Sequence, residues 1–374
     1  MAKQLLKGNE ALAEAAIRAG VEGFFGYPIT PSTEFLEHMA QRMPRLGRAF
    51  VQAESEVAAI NMVYGAACTG KRAMTASSSP GLSLMMEGLS YIAGTELPVV
   101  IVNVMRGGPG LGNISPSQGD YFQMTRGGGH GDYFPIVLAP ATVQEAIDYI
   151  ALAFDLAEKY RSIVFVIADG NIGQMMEPAE LPPMRKLPTE FPDWTVTGAK
   201  DRQANILTSI YITPRDEEVV NIRILKRWME VEKNEVRYKE YYMDDAEIAV
   251  IGFGTAGRVA LSAIRIARDE GLEVGLFRPV TLAPFPKKQI EAISRRVKRI
   301  LVVEMNSGMM LEDVKAAVQG RVPVEFYGRM GGITPFPDEV LDEIRRVANN
   351  TEDVTDKERE QWLERLEKII EGGK

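Results

Sequence analysis

The sequence predicts an α/β protein: a doubly wound, parallel-sheet domain followed by a second α/β domain. Three observations predict it. Helical and extended patterns alternate along most of the chain, the signature of strands joined by crossover helices. The runs 98–104 and 163–168 are almost wholly apolar, as in strands covered on both faces of a parallel sheet. The chain has 374 residues, and at roughly 150 residues per domain that length suits two domains.

Taken in order, residues 9–20 read as a helix, with Leu12, Ala15, Ala16 and Ala19 at helical spacing and Gly20 as its stop. A short strand at 23–27 runs into a proline-stiffened turn at 28–32, and a helix covers 33–42. Residues 49–53 form a strand. Residues 55–69 form a helix with Val57, Ile60, Tyr64 and Ala67 on one face. A strand at 71–77, a helix at 81–93 and the two apolar strands complete a first domain over 1–170. Residues 171–245 form a connector: 177–194 is proline-rich and extended, and 217–242 is charged and helical. The second domain occupies 246–374, with strands at 247–252, 273–277, 300–304 and 322–327 and a helix at 256–269. An amphipathic helix at 356–370 carries Trp362, Leu363, Leu366, Ile369 and Ile370 on one side. That side docks on its own domain or meets another subunit.

Scarce residues narrow the chemistry. Cys68 is the one cysteine, and His38 and His130 are the two histidines. One cysteine excludes a disulfide framework and a cysteine-ligated iron–sulfur cluster within this chain. The same scarcity argues against a Cys/His zinc site. No G-x-S-x-G elbow marks a serine hydrolase. A net charge of −8 argues against a nucleic-acid surface. The apolar runs are too short to span a membrane, and no leader opens the chain, so the expectation is a cytoplasmic protein. Redox or metal chemistry must come from a bound cofactor or another chain.

The motifs cluster where strands end. Tyr27-Pro28-Ile29-Thr30-Pro31-Ser32 follows the second strand and places the Thr30 hydroxyl; Ser32 could instead simply cap the next helix. Glu54 and Glu56 flank a helix start, where a carboxylate serves either as a dipole partner or as an acid/base. Thr75-Ala76-Ser77-Ser78-Ser79-Pro80-Gly81 is a hydroxyl-rich strand end. Arg106 precedes Gly107-Gly108-Pro109-Gly110-Leu111-Gly112-Asn113, whose glycines admit an anion to the backbone while the arginine suits a carboxylate. A solvated surface loop is the plain alternative. In a doubly wound sheet such strand ends converge at the ligand edge. Gly252-Phe253-Gly254-Thr255-Ala256-Gly257 has dinucleotide spacing, but no acidic residue ends the next strand, so it reads as a tight turn. Gly127-Gly128-Gly129-His130-Gly131-Asp132 reads as a mobile loop or a closing one, and Cys68 as an inert core thiol.

Together, the Gly26–Ser32 run, Ala53-Glu54-Ser55-Glu56-Val57-Ala58-Ala59 and Arg106-Gly107-Gly108-Pro109-Gly110 resemble the α subunit of 2-oxoacid:ferredoxin oxidoreductases. Arg278-Pro279-Val280-Thr281-Leu282-Ala283-Pro284-Phe285-Pro286 and Val303-Glu304-Met305-Asn306-Ser307-Gly308 resemble that subunit's second domain, although Met309 stands where glutamine is expected. The run from Gly110 to Tyr121 is most similar to the 2-oxoisovalerate branch, with the 2-oxoglutarate branch next.

The resemblance implies a pyrimidine-binding-type thiamine diphosphate domain followed by a transketolase C-terminal-like domain. It implies thiamine diphosphate shared with a β subunit that holds the diphosphate and Mg²⁺. No Gly-Asp-Gly diphosphate motif occurs here, and Asp169-Gly170-Asn171 is too compressed to replace it. Carried over by motif, Glu56 bonds the pyrimidine ring nitrogen, with Tyr27, Pro28 and Ser78 also toward the cofactor, and Thr30 and Arg106 hold the 2-oxoacid carboxylate. Iron–sulfur clusters then sit on partners, among them γ and ferredoxin-like δ subunits, with ferredoxin as acceptor and coenzyme A as co-substrate. The competing functions are a split transketolase-like or oxoacid dehydrogenase subunit, and a non-catalytic nucleotide module built on Gly252–Gly257.

Overall fold

The structure, a computed structural model, describes residues 3–351, 354 and 356–372. By packing, the chain divides into two compact units. One joins the chain up to Met105 to Phe122–Glu235; the other joins Arg106–Tyr121 to the chain from Val236 onward.

In the first unit, β1 (Gln4–Lys7) pairs antiparallel with β8 (Met176–Ala179). The first unit's part of the main sheet consists of β2 (Gly23–Gly26), β3 (Ala49–Gln52), β4 (Ala73–Ser77), β5 (Val99–Met105), β6 (Ile136–Leu138) and β7 (Ile163–Asp169). Their order is β6-β7-β5-β4-β2-β3, every neighbour parallel. All residues of β5 and β7 are buried, as their unbroken apolar runs require. Helix α1 (Gly8–Arg18) is buried almost all round, because alanines at 11, 13, 15 and 16 let neighbours approach on every side. Helices α2 (Thr33–Arg42) and α3 (Glu56–Ala67) follow β2 and β3.

Three expectations change over this stretch of the chain. The single helix at 81–93 is two, α4 (Ser79–Leu84) and α5 (Met86–Gly94), with Pro80 in the first turn of α4. The proline-rich connector begins as strand β8. The charged stretch is helical only over Pro214–Asn234, named α9 below, and Tyr238–Tyr241 forms strand β9. A long helix over Val143–Tyr160 (α7) lies outside the elements read from the sequence; the Thr142 hydroxyl caps it by accepting from Glu145 N at 3.1 Å. The short helices Tyr121–Thr125 (α6) and Gly170–Gln174 (α8) precede and follow α7 in the chain.

The second unit has a five-stranded sheet: β9, β10 (Ile248–Ile251), β11 (Val274–Pro279), β13 (Arg299–Glu304) and β14 (Val324–Gly328). Their order is β14-β13-β10-β11-β9, parallel except for β9. The short strand β12 (Thr281–Ala283) lies between β11 and β13 in sequence. After β10, helix α10 (Gly254–Asp269) starts at once. A side-chain carbon on Gly257 would meet the Gly252 carbonyl oxygen at 2.6 Å, so these glycines serve a tight strand-to-helix turn. Helices α11 (Lys287–Ile293), α12 (Met309–Val318) and α13 (Pro337–Asn349) follow.

The last helix, α14 (Glu358–Glu371), docks on its own unit. Trp362 donates its indole N–H to Gly328 O at 3.0 Å and meets the Phe326 ring edge-on at 4.8 Å. Only Trp362 and Leu366 of the apolar side are buried; Leu363 and Ile370 remain exposed. No helix among the described residues is long and apolar enough to cross a membrane.

Candidate active site

In a parallel sheet, the loops after β2, β3 and β4 leave from the same carboxyl edge. Those loops carry Tyr27–Ser32, Glu54–Glu56 and Ser77–Gly81, so the sheet brings three of the predicted motifs together.

The turn after β2 is clamped from beneath. Asn9 donates to Pro31 O at 2.7 Å and to Glu34 Oε2 at 2.9 Å. Gln174 donates to Pro31 O at 3.3 Å, and Lys7 pairs with Glu34 at 2.7 Å. Ser32 occupies the N-cap position of α2 but does not cap it with its side chain. Its hydroxyl donates back to Ile29 O at 2.8 Å and closes the turn instead. Tyr27 and Thr30 are exposed at this edge and Pro28 is half-buried, so these three are presented outward by a rigid turn. Asn9 and Gln174 are supporting residues that sequence reading missed, because they come from distant helices.

The start of α3 separates the two glutamates. Glu54 is exposed and Glu56 is buried. Helix capping falls to Ser55, whose hydroxyl accepts from Ala58 N at 3.2 Å. Glu56, at 6% exposure, is therefore not needed as a cap, and no hydrogen bond or ion pair among the described residues reaches its carboxylate. A mostly buried residue whose carboxylate engages no other group of the described chain can take a donor from outside it.

The end of β4 forms the facing wall. The hydroxyls of Ser77 and Ser78 are buried and lack a hydrogen-bond partner among the described residues. Ser78 is the N-cap residue of α4 yet makes no side-chain cap bond. A side-chain carbon on Gly81 would strike Ser77 Oγ and lie 2.7 Å from Glu56 Oε1. Gly81 thus leaves the space in which Glu56 and Ser77 meet. Ser77 lay in the hydroxyl-rich motif, but its role follows only from this packing.

Arg106 belongs to the second unit. It is buried, not solvated, and its Nη2 donates to Leu111 O at 3.0 Å. The loop closes on itself: Gly107 N donates to Ser115 O at 2.9 Å, and Asn113 N to Gly107 O at 3.1 Å. A side-chain carbon on Gly112, where φ is +60°, would collide with Gly107 O. Gln118 ties the loop down within the same unit. It donates to Phe253 O at 2.8 Å and accepts from Met305 N at 3.0 Å, while Asn306 Nδ2 donates to Gln118 O at 2.9 Å. Leu111 and Ile114 stay exposed, at 82% and 63%.

Glu304, at the end of β13, is fully buried. It accepts from Met310 N and Leu311 N at 2.9 Å each, at the start of α12, and from Asn306 at 2.9 Å. Burial still pushes its carboxyl up to about 7. Elsewhere, the Gly127–Asp132 loop is pinned by Tyr133, which donates to Gly127 O at 2.8 Å and accepts from Gly129 N at 3.2 Å. Cys68 is half-buried at the end of α3, not a core residue as expected, and burial raises its thiol pKa.

The family described as pyruvate flavodoxin/ferredoxin oxidoreductase, thiamine diphosphate-binding, matches residues 14–244, and pyruvate:ferredoxin oxidoreductase core domain II matches residues 246–340. The ketoisovalerate oxidoreductase subunit VorB of Methanothermobacter thermautotrophicus is 49% identical over 94% of this chain and 100% of its own length. The 2-oxoglutarate synthase subunit KorA of the same organism is 37% identical over 91% of this chain and 98% of its own. Among solved structures, the 2-oxoglutarate:ferredoxin oxidoreductase from Magnetococcus marinus, with 2-oxoglutarate, coenzyme A and succinyl-CoA bound, superposes with a TM-score of 0.81 at 27% identity. That match covers 92% of this chain and 65% of the other, so this chain spans slightly under two thirds of it. A split-gene transketolase shares the fold alone, with a TM-score of 0.58 at 13% identity.

Proposed function

Because the chain belongs to the pyruvate flavodoxin/ferredoxin oxidoreductase family, we propose that it is the α-type subunit of a 2-oxoacid:ferredoxin oxidoreductase acting on 2-oxoisovalerate or a similar branched-chain 2-oxoacid. The substrate loses its carboxylate as CO₂. Its acyl group passes to the thiol of coenzyme A, and two electrons pass singly to an iron–sulfur acceptor. Thiamine diphosphate, when bound, supplies the electron sink for this chemistry.

The observation that carries the reading is the buried, unpartnered carboxylate of Glu56 facing the orphaned hydroxyl of Ser77 across Gly81. A protonated ring nitrogen of an aminopyrimidine is the donor such a carboxylate lacks. Glu56 holds the proton at that nitrogen. Ser77 and Ser78 offer hydroxyls that can donate to or accept from the ring's polar edge, and Tyr27 and Pro28 border the same edge. Thr30 on the first unit and Arg106 on the second each carry a group that suits a 2-oxoacid carboxylate, and an oriented carboxylate lowers the barrier through positioning. The Arg106–Tyr121 segment carries Leu111 and Ile114, exposed and apolar, and no second Lys or Arg. That composition favours an aliphatic substrate over one with a distal carboxylate.

The diphosphate and Mg²⁺ belong to a β subunit, and the clusters to partner chains, with γ and ferredoxin-like δ subunits completing the complex. In the assembled complex, Glu56→Gln should slow exchange of the thiazolium C2 hydrogen by about 10²–10⁴-fold, measured by hydrogen–deuterium exchange. Wild-type exchange in that variant would remove Glu56 from its role. A panel of 2-oxoacids should show the highest kcat/KM for the branched-chain acids; preference for 2-oxoglutarate would move the chain to the other branch.

A further inference from the structure

A pocket in the first unit takes no part in the site above. It has a volume of about 410 Å³, and its walls include Arg161, Arg223, Arg227, Glu96, Trp194 and Tyr211. Glu96 is its only carboxylate and is itself buried. Both oxygens of Glu96 are committed: Oε1 accepts from Arg223 Nε at 2.8 Å and also from Arg223 Nη2, and Oε2 accepts from Arg227 Nη2. Arg161 donates its Nε to the Glu96 backbone carbonyl at 3.0 Å and lies over the Trp194 ring at 4.5 Å.

One negative charge therefore faces three guanidinium groups. The terminal nitrogens of Arg161 and Nη1 of Arg223 have no hydrogen-bond partner among the described residues. Like charges this close repel, and a second anion would remove that cost. An ion-pair network needed only to anchor α9 would use one arginine per carboxylate. Here the excess is two positive charges, collected in a concave surface of ligand size. Guanidinium forks match phosphate oxygens in pairs. The indole and phenol rings of Trp194 and Tyr211 add flat apolar surface of the kind that receives a heteroaromatic base.

We propose that this pocket binds a phosphate-bearing ligand of nucleotide size, its phosphate held by Arg161 and Arg223 and its ring lying toward Trp194 and Tyr211. The arginines suit a free and an esterified phosphate alike; the rings favour the esterified form. This proposal is independent of the catalytic reading.

Titration of the full chain with AMP, inorganic phosphate and adenosine, followed by calorimetry and by indole fluorescence, tests it. AMP should bind, phosphate should compete with it, and adenosine should bind at least tenfold more weakly. Arg161→Gln and Arg223→Gln should each weaken AMP at least tenfold. Arg223→Lys, which keeps the charge and a bond to Glu96, should lose less and shows that α9 has not simply detached. Absence of AMP and phosphate binding, adenosine binding equal to AMP, or AMP affinity unchanged in both Gln variants would each overturn the proposal. Phosphate binding as tightly as AMP would retain the anion site and overturn the nucleotide assignment.

Discussion

The carboxylate of Glu56 lies against the α-carbon of Gly81, so closely that a side-chain carbon there would sit 2.7 Å from Oε1. Gly81 lies inside α4, where replacing glycine by alanine usually stabilises a helix by about 1 kcal/mol. Here the new methyl must displace Ser77 or Glu56. Gly81→Ala should therefore leave thermal stability within a few degrees of wild type while lowering turnover of the assembled complex at least tenfold. A misplacement of about 1 Å can cost 10²-fold. Full activity with unchanged KM would show that the Glu56 carboxylate need not be held where it is.

Gln118 offers a separate test of how the arginine loop is held. Truncation in Gln118→Ala leaves Phe253 O and Met305 N, both bonded to it now, without their side-chain partner. Phe253 O keeps its bond from Gly257 N, whereas Met305 N becomes a buried orphan, which costs about 1–3 kcal/mol. The expected outcome is a fall in melting temperature of several degrees, with faster proteolysis between Gly107 and Asn113. An unchanged melting curve would mean that water replaces both bonds.

Glu304 should make stability depend on pH near neutrality. Burial raises its carboxyl to about 7, against the opposing bonds from Met310, Asn306 and Leu311. A folded pKa above the unfolded one means that the protonated form is favoured by folding. Its contribution is fully present below about pH 4.5 and is lost as pH rises through 7. The span corresponds to roughly 3 kcal/mol at most. Denaturant unfolding at several pH values should show this decline, and Glu304→Gln should flatten it. A wild-type curve flat between pH 4.5 and 7.5 would show that the carboxylate is ionised in the fold.

Much of the candidate site was legible in the sequence because its residues stand in local order at strand ends. Glu56, Ser78 and the Tyr27–Thr30 turn each follow a short extended run and precede a helix, and local pattern is enough to find such positions. The supporting residues were not legible. Asn9 reaches Pro31 from 22 positions away, Gln174 from 143, and Gln118 reaches Phe253 from 135. Nothing in a local pattern distinguishes these side chains from solvated ones. The helix at Val143–Tyr160 has the required spacing, with Val143, Ala146, Ile147, Ile150 and Phe154 buried, and could have been found by the same period counting.

The sequence by itself determined that this is a two-part α/β protein, with hydroxyl, carboxylate and arginine motifs at strand ends and a single cysteine. Periodicity and composition are local properties, and they survive without a fold. Only the tertiary structure showed Glu54 exposed and Glu56 buried, placed Ser77 against Gly81, and assigned the Arg106 loop to the second unit. Those outcomes depend on which atoms become buried and which buried atoms find partners. That is settled by packing between segments far apart in the chain.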